Sequence, residues 1–540
     1  MIIGRLAASV WLGVSAAAMM TLPIEASANA NPNKANANAC ANRSNNNIDK
    51  LLDCVSYEGV RRHQEALQQI ADESGGIRAS GFPGYDASVD YVVEQLTAAG
   101  YDPVVQPFDF VIYAELALAT LEQISPAPTT YVYGDDFLTM SYSGSTGNVP
   151  ISGAVTPVDL SLGDPAASTS GCEVADFAGF AAGTIALIQR GACTFQLKAE
   201  NAEAAGAIGV IIFNQGTAGR EPLFGGTLSD GYVGDLPVVS MPFDLGAELA
   251  GTPGLELAIS TSTLRSPFTT TNVLAETSSG DPDNVVMVGA HLDSVQAGPG
   301  IQDNGSGTAA ILETAIQMAK ADVRNKVRFA WWGAEESGLI GSTFYVNDLI
   351  NKFFDEGDET ILKIALYLNF DMIGSPNYVF KIYDGDDSDG EGAGPGPEGS
   401  AQIEAFFERF YEGIGEPYKG TDFSGRSDYG PFITLAGIPA GGLFTGAEEL
   451  KTEEEAAIWG GVVGEQLDQC YHLACDTFDN ISEKALTVNA DAVAASTLYY
   501  AMNTSEINGV EGKGNFKSAG KALRKYENGI MEQTGHFFTK

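Results

Sequence analysis

Two histidines and five acids in this chain stand where a metal could use them. Val285-Val-Met-Val-Gly-Ala is an apolar run that ends in His291-Leu-Asp293. The glycine-rich stretch Gly298-Pro-Gly-Ile-Gln-Asp303-Asn304-Gly305-Ser-Gly307 follows and leads into a helical pattern. A second apolar run, Val327–Trp332, is followed at once by Glu335-Glu336; a third, Ile361–Phe370, ends in Asp371. His472, one of only four histidines, lies in the short loop between Cys470 and Cys475. Taken singly, each has an ordinary reading: an Asp after a strand caps a turn, a Glu pair is surface, a histidine is a hydrogen-bonded polar group. Jointly they are oxygen and imidazole donors at the ends of successive apolar strands, a set that suits zinc or a similar divalent ion. Five ligands exceed what one catalytic zinc takes while keeping a position open for water. They suit two ions about 3.5–4 Å apart sharing a carboxylate. The remaining glutamate is then the natural proton carrier.

Such residues need a frame that brings strand ends together. From Thr270 the pattern alternates strand and helix, which predicts an α/β domain whose ligands gather at the carboxyl ends of the strands. Strands are predicted at Val285–Ala290, Val327–Trp332, Ile361–Phe370, Tyr378–Tyr383 and Pro439–Phe444. Helices are predicted at Thr308–Ala319, Ser400–Tyr411 and Ala485–Met502. Further upstream, Val60, Leu67 and Ile70 mark one helix. The run from Ser88 to Ala99 marks another, stopped by Gly100, and Val104–Phe110 reads as a strand. Between about Leu116 and Pro267 the chain turns to short strands and Gly/Ser/Thr-rich turns. The loop Asp384 to Gly399 contains a literal GxGxxG, but its prolines and acids exclude a phosphate-cradling helix start. Its aspartates lack calcium-loop spacing and read as a solvated loop.

Composition sets the compartment and excludes some partners. The 70 acidic residues against 29 basic ones leave a formal net charge of -41, which repels nucleic acid and anionic membrane surfaces. Arg5, the apolar stretch Leu6 to Met20, and Ala26-Ser-Ala28 or Ala28-Asn-Ala30 read as a signal peptide with its cleavage site. The six cysteines fall into three local pairs, Cys40/Cys54, Cys172/Cys193 and Cys470/Cys475, as suits an oxidising compartment. A secreted, extracellular or periplasmic protein follows, acting as a monomer without nucleic acid or membrane partner.

Two stretches resemble known families. Gly183 to Phe195 and Lys198 to Asn214, read as strand, loop, helix and strand, resemble the protease-associated (PA) domain and imply a smaller, mainly-β insertion. His291-Leu-Asp293-Ser, Asp303-Asn-Gly-Ser-Gly307, Trp332-Gly-Ala-Glu335-Glu336-Ser-Gly and Asn369-Phe-Asp371-Met372 closely resemble the M28 family of co-catalytic zinc aminopeptidases. Gly425-Arg426-Ser-Asp428-Tyr-Gly-Pro-Phe432 and Cys470-Tyr471-His472-Leu-Ala-Cys475-Asp476 look like its secreted bacterial branch.

The resemblance implies an α/β fold of the phosphorylase/hydrolase-like type, a mixed sheet with helices on both faces. The chain then divides into the signal peptide at 1–30, an Asn/Ala-rich low-complexity stretch at 31–47 that reads as disordered or a pro-segment, and peptidase domain at 48–115 and 268–505. These enclose a PA-like insertion at 116–267, and a basic tail follows at 506–540. The resemblance also implies two zinc ions: His291 and Asp371 on one, Glu336 and His472 on the other, Asp303 bridging, with a cis Asp303–Asn304 bond. Glu335 would be the general base, Asp293 would orient His291, Tyr471 would donate to the oxyanion, and Arg426 and Met372 would contact substrate. A calcium site is also implied, with Asp491 as its candidate. The function implied is removal of N-terminal residues from peptides or proteins. The alternatives are a carboxypeptidase of the same family, a glutaminyl cyclase-like transferase with one zinc, and a non-catalytic binding protein. The full ligand set speaks against the last two.

Overall fold

A computed structural model describes residues 37–512 apart from 148, 218, 230, 391 and 393. The expected signal peptide, residues 31–36 and the tail beyond 512 lie outside the described residues. Four parallel strands form the centre of the peptidase half, in the order Ala440–Phe444, Ile364–Phe370, Asp281–His291 and Asn325–Trp332. Asp281–His291 has its sequence successors on opposite sides. The order therefore reverses around it, and a crevice opens at the carboxyl ends. Its run Val285–Ala290 is apolar at every position because both faces are covered. One face packs on the helices Tyr57–Glu73, Pro83–Ala99, Gly305–Met318 and Glu483–Met502, the other on Ile340–Glu356 and Tyr429–Ala436.

The expected strands and helices are present, with shifts that have local causes. Pro83 starts its helix before Ser88 because proline needs no amide partner in the first turn. Gly100 ends it in the left-handed region at φ 101°. The run expected as one strand from Ile361 begins as a 3-10 turn, Glu359–Lys363, capped by Asp358, and becomes extended only at Ile364. Helix Ile340–Glu356 was not foreseen. It follows Leu339 in the left-handed region, with no side-chain cap to announce it.

Two long strands carry the insertion. Val104–Ser125 and Glu256–Glu276 pair antiparallel from Val104↔Leu274 to Ser125↔Glu256, with bulges near Glu115, Ala117 and Gln123. Near the bulges the ribbon leaves the peptidase strands and carries the same sheet on through Ile151–Val158, Ile185–Gln189, Gly209–Phe213 and Val238–Met241, which have cores of their own. Positions 116 and 267 thus fall inside continuous strands.

Both ends of the described chain are anchored. Ala37–Asn42 is helical within the stretch expected to be unstructured, since Cys40–Cys54 ties it down and Asn45 donates to Gln317 O at 2.8 Å. Cys172–Cys193 and Cys470–Cys475 complete the expected pairing. Ser505–Asn508 is docked through Asn508 on Asn284 at 2.8 Å. Among the described residues no helix is long and apolar enough to cross a membrane.

Candidate metal centre

The strand ends deliver their side chains to one point. His291 Nε2 lies 3.2 Å from Asp303 Oδ1 and 3.3 Å from Asp371 Oδ1. His472 Nε2 lies 3.2 Å from Asp303 Oδ2 and 3.1 Å from Glu336 Oε2. Asp303 therefore presents one oxygen to each histidine–carboxylate pair. Within each triad, His291/Asp303/Asp371 and Asp303/Glu336/His472, the ligand atoms are within 4.8 Å of one another. Asp371 Oδ1 and Glu336 Oε1 are buried without a hydrogen bond. Three carboxylates converging in a buried site, two with an unbonded oxygen, are costly unless cations neutralise them. The nitrogen and oxygen donor set fits one divalent ion per triad.

Much of what fixes these ligands was not visible in the motifs. The Asp303–Asn304 peptide is cis, as the family resemblance implied, but the contacts around it were not foreseen. Asn304 caps the helix Gly305–Met318 by accepting from Gly307 N at 2.9 Å, and donates to Phe370 O at 2.9 Å beside Asp371. Asp476 accepts from Gln302 N at 2.8 Å and Asp303 N at 3.0 Å. Because Cys470–Cys475 closes just before Asp476, one carboxylate joins the loop of His472 to the loop of Asp303. His472 itself sits at φ 57°, a strained backbone that the closed loop maintains. Arg78, fully buried, donates to Pro299 O at 2.8 Å, to Gly300 O at 2.6 Å and to Leu292 O. It staples the segment between His291 and Asp303 from the loop that precedes the helix Pro83–Ala99, and no motif announces it.

Asp293 sits beside His291, but its backbone carbonyl is the closer partner of His291 Nδ1, at 3.1 Å against 3.6 Å for its carboxylate. The carboxylate accepts from Glu335 N at 3.1 Å, so Asp293 links the histidine to the glutamate turn. Burial pushes Glu335 well above the usual carboxyl range; His291 opposes this, while Asp428, Asp371 and Glu336 add to it. Burial also raises Asp428 to about 8. Burial disfavours charge on His472, yet Glu336 and Asp303 outweigh it and hold the imidazolium up to about 11. The site is thus electrostatically unbalanced toward negative charge.

A cavity of about 590 Å³ opens over these residues. Met372, at φ 52°, and Phe444 line it on one side. On the other, Tyr471 stacks on His472 at 3.8 Å between ring centres, and Arg426 reaches Tyr471 Oη at 3.0 Å and Glu448 at 2.6 Å. The insertion overhangs the cavity: Thr227 lines it, and Tyr142 Oη donates to Ser337 O at 3.1 Å. Among the described residues Asp491 joins no cluster of three potential ligands. Asp384, Asp386 and Glu404 do form one, in and beside the loop expected to be solvated. Asp384 there accepts from Ser388 N at 3.0 Å and Asp389 N at 3.1 Å, which organises the loop internally.

Residues 272–497 match the model of peptidase family M28, and residues 155–249 match that of the PA domain. An aminopeptidase of Pseudomonas aeruginosa is 47% identical over 489 residues, covering 90% of this chain and 89% of the relative. The probable lipoprotein aminopeptidase LpqL of Mycobacterium tuberculosis is 42% identical over 84% of this chain and 87% of its own. Among solved structures, the aminopeptidase from Aneurinibacillus sp. strain AM-1 superposes with a TM-score of 0.64 at 26% identity, covering 84% of this chain and 96% of its own. Similarity across nearly the whole length, at that level of identity, does not arise from a shared fold alone: the chain belongs to peptidase family M28, with a PA domain inserted in its peptidase fold.

Proposed function

We propose that this protein is an exported, zinc-dependent aminopeptidase that hydrolyses the first peptide bond of peptides with a free N-terminus. The observation that carries this reading is Asp303, whose two oxygens lie 3.2 Å from His291 Nε2 and 3.2 Å from His472 Nε2. His291 and Asp371 would hold one zinc and Glu336 and His472 a second, with Asp303 offering an oxygen to each. When bound, such ions acidify water and polarise a carbonyl.

The chain's own groups do the rest. Glu335, whose affinity for a proton is raised by burial and neighbouring carboxylates, takes the proton of the attacking water and returns it to the leaving amine. Asp293 holds the Glu335 backbone in place through its carboxylate. Tyr471 accepts from Arg426, which leaves its own hydroxyl proton to donate to the oxyanion. Arg426 and Met372 border the substrate, and Arg426 contacts the end remote from the scissile bond. The acidic cleft attracts the protonated N-terminus of a peptide. Export is supported by the three disulfides and by the leader pattern at residues 1–30.

The test is a panel of amino-acyl chromogenic substrates, free and N-acetylated, with wild type and Glu335→Ala, before and after chelation. Cleavage confined to free amino termini, lost with chelator and in the variant, is expected. Cleavage only of N-blocked substrates would sink the aminopeptidase assignment. Full activity of the variant would sink the role of Glu335.

A further inference from the structure

A chain of hydrogen bonds crosses the sheet behind the metal centre and ends on Asp371. Trp332 Nε1 donates to Tyr367 Oη at 2.8 Å, and Tyr367 Oη donates to Asn369 Oδ1 at 3.0 Å. Asn369 Nδ2 donates to Ser427 Oγ at 2.8 Å, and Ser427 Oγ donates to Asp371 Oδ2 at 2.6 Å. All five residues are buried.

The direction of the chain is set by chemistry at both ends. An indole N–H can only donate and a carboxylate can only accept. Tyr367 must accept from the indole, so its proton turns to Asn369 Oδ1. That orients the amide with Nδ2 toward Ser427, whose single proton is left for Asp371. Every hydroxyl and amide in the row is used in one sense, and in a low-dielectric interior such bonds reinforce one another.

The strand between the two ends is shaped for this crossing. Trp332 closes Asn325–Trp332, and Tyr367 and Asn369 lie on Ile364–Phe370, with Asp281–His291 between them. Gly289, two residues before His291, is registered against Asn369 on one side and Ala330 on the other. A Cβ there would stand 2.4 Å from Tyr367 Oη and 2.7 Å from Trp332 Nε1. The row therefore passes over the only side-chain position on that face left open by a glycine in Val285–Ala290. Phe432, stacked on Tyr367 at 4.1 Å, closes it from above.

We infer that Trp332, Tyr367, Asn369 and Ser427 form a positioning row that ties back Asp371 Oδ2, so that Oδ1 alone is presented to a metal shared with His291. This rests on the reading that Asp371 is a metal ligand. It deepens that reading by making the ligand geometry depend on an indole on the strand that leads to Glu335 and Glu336. Asp371 Oδ1, which has no hydrogen bond of its own and lies 3.3 Å from His291 Nε2, is the free oxygen this arrangement requires. Partners that orient metal ligands commonly change metal affinity by about 10–100-fold when removed.

The experiment compares wild type, Ser427→Ala, Tyr367→Phe and Gly289→Ala as full-length protein loaded with cobalt(II). It reads the visible cobalt spectrum, the chelator concentration that strips the metal, and the melting temperature of the metal-free form. The expected result is an altered spectrum and metal loss at about tenfold lower chelator for Ser427→Ala. Tyr367→Phe, three bonds from Asp371 along the row, should shift the same way by less, with the metal-free melting temperature unchanged. Spectra and stripping midpoints of Ser427→Ala and Tyr367→Phe indistinguishable from wild type would overturn the inference. So would losses that merely follow a lowered metal-free melting temperature. Gly289→Ala is expected to reproduce the spectral change, and a wild-type spectrum there would mean that the crossing is not needed. If wild type itself takes up no cobalt, the metal reading fails; if it does and the variants match it, only the positioning row fails.

Discussion

Replacing Arg78 with methionine tests how the metal loop is held. The side chain keeps an unbranched apolar stem but loses the guanidinium and its donors to Leu292 O, Pro299 O and Gly300 O. Charge-assisted hydrogen bonds of this kind are worth ~2 kcal/mol each, so removing the three costs roughly 6 kcal/mol before any relief. Relief comes from no longer burying a guanidinium. Burial lowers its pKa to about 10 despite Asp293 and Asp476 nearby, a penalty of about 3 kcal/mol on the charged form. The net loss is about 3 kcal/mol, local to the segment from Leu292 to Gly305. Amide hydrogen exchange of that segment should accelerate by about 100-fold in Arg78→Met. The strand Gly209–Phe213, far away in the PA domain, should exchange as in wild type. Acceleration of less than about threefold in the 292–305 segment, about 0.6 kcal/mol, would refute the staple.

Asp476→Asn keeps one acceptor oxygen but loses the second, so only one of the Gln302 and Asp303 amides stays bonded. kcat/KM should fall by about 10–100-fold with the fold intact by circular dichroism. Glu335→Gln should lower kcat by about 100–10,000-fold while zinc content, measured by atomic absorption, is unchanged. Lys198 in the PA domain is buried, and burial lowers its ammonium to about 8. Below pH 8 the lysine is charged in both folded and unfolded states, and the burial cost is present in full. As pH rises from 8 to about 10.5 the folded state sheds its proton first, so wild-type stability rises. Lys198→Met lacks that rise. The difference between the two proteins in urea unfolding at pH 7 and pH 10.5 should therefore change by about 3 kcal/mol or less, in favour of wild type at high pH.

How much of this was legible depended on distance along the chain. His291 and Asp371 each end an apolar run, Glu335 and Glu336 follow one, and Asp303 lies in the loop after the first, so the strand pattern alone suggested a common edge for them. Glycine at 100 and proline at 83 similarly reported local backbone needs. What remained hidden are contacts whose two halves have no local signature. Arg78 serves carbonyls more than 200 residues away, and Asp476 serves amides 173 and 174 residues away. Gly289 passes unremarked within an apolar run, and only the structure shows that it leaves room for Tyr367 and Trp332. The long ribbon beneath the insertion was missed because polar and threonine-rich strands such as Arg265–Thr271 carry no alternating burial. Helix Ile340–Glu356 was missed because its start lacks a capping residue.

The central claim is that two ions act together at one bridging carboxylate. The direct measurement is to strip the protein with chelator, add zinc back in small steps, and follow hydrolysis of an unblocked leucyl anilide against zinc bound per chain. The account predicts that full activity returns only as the second equivalent binds, and that Asp303→Ala never recovers it. Full activity at one equivalent, or in metal-free protein, would contradict it.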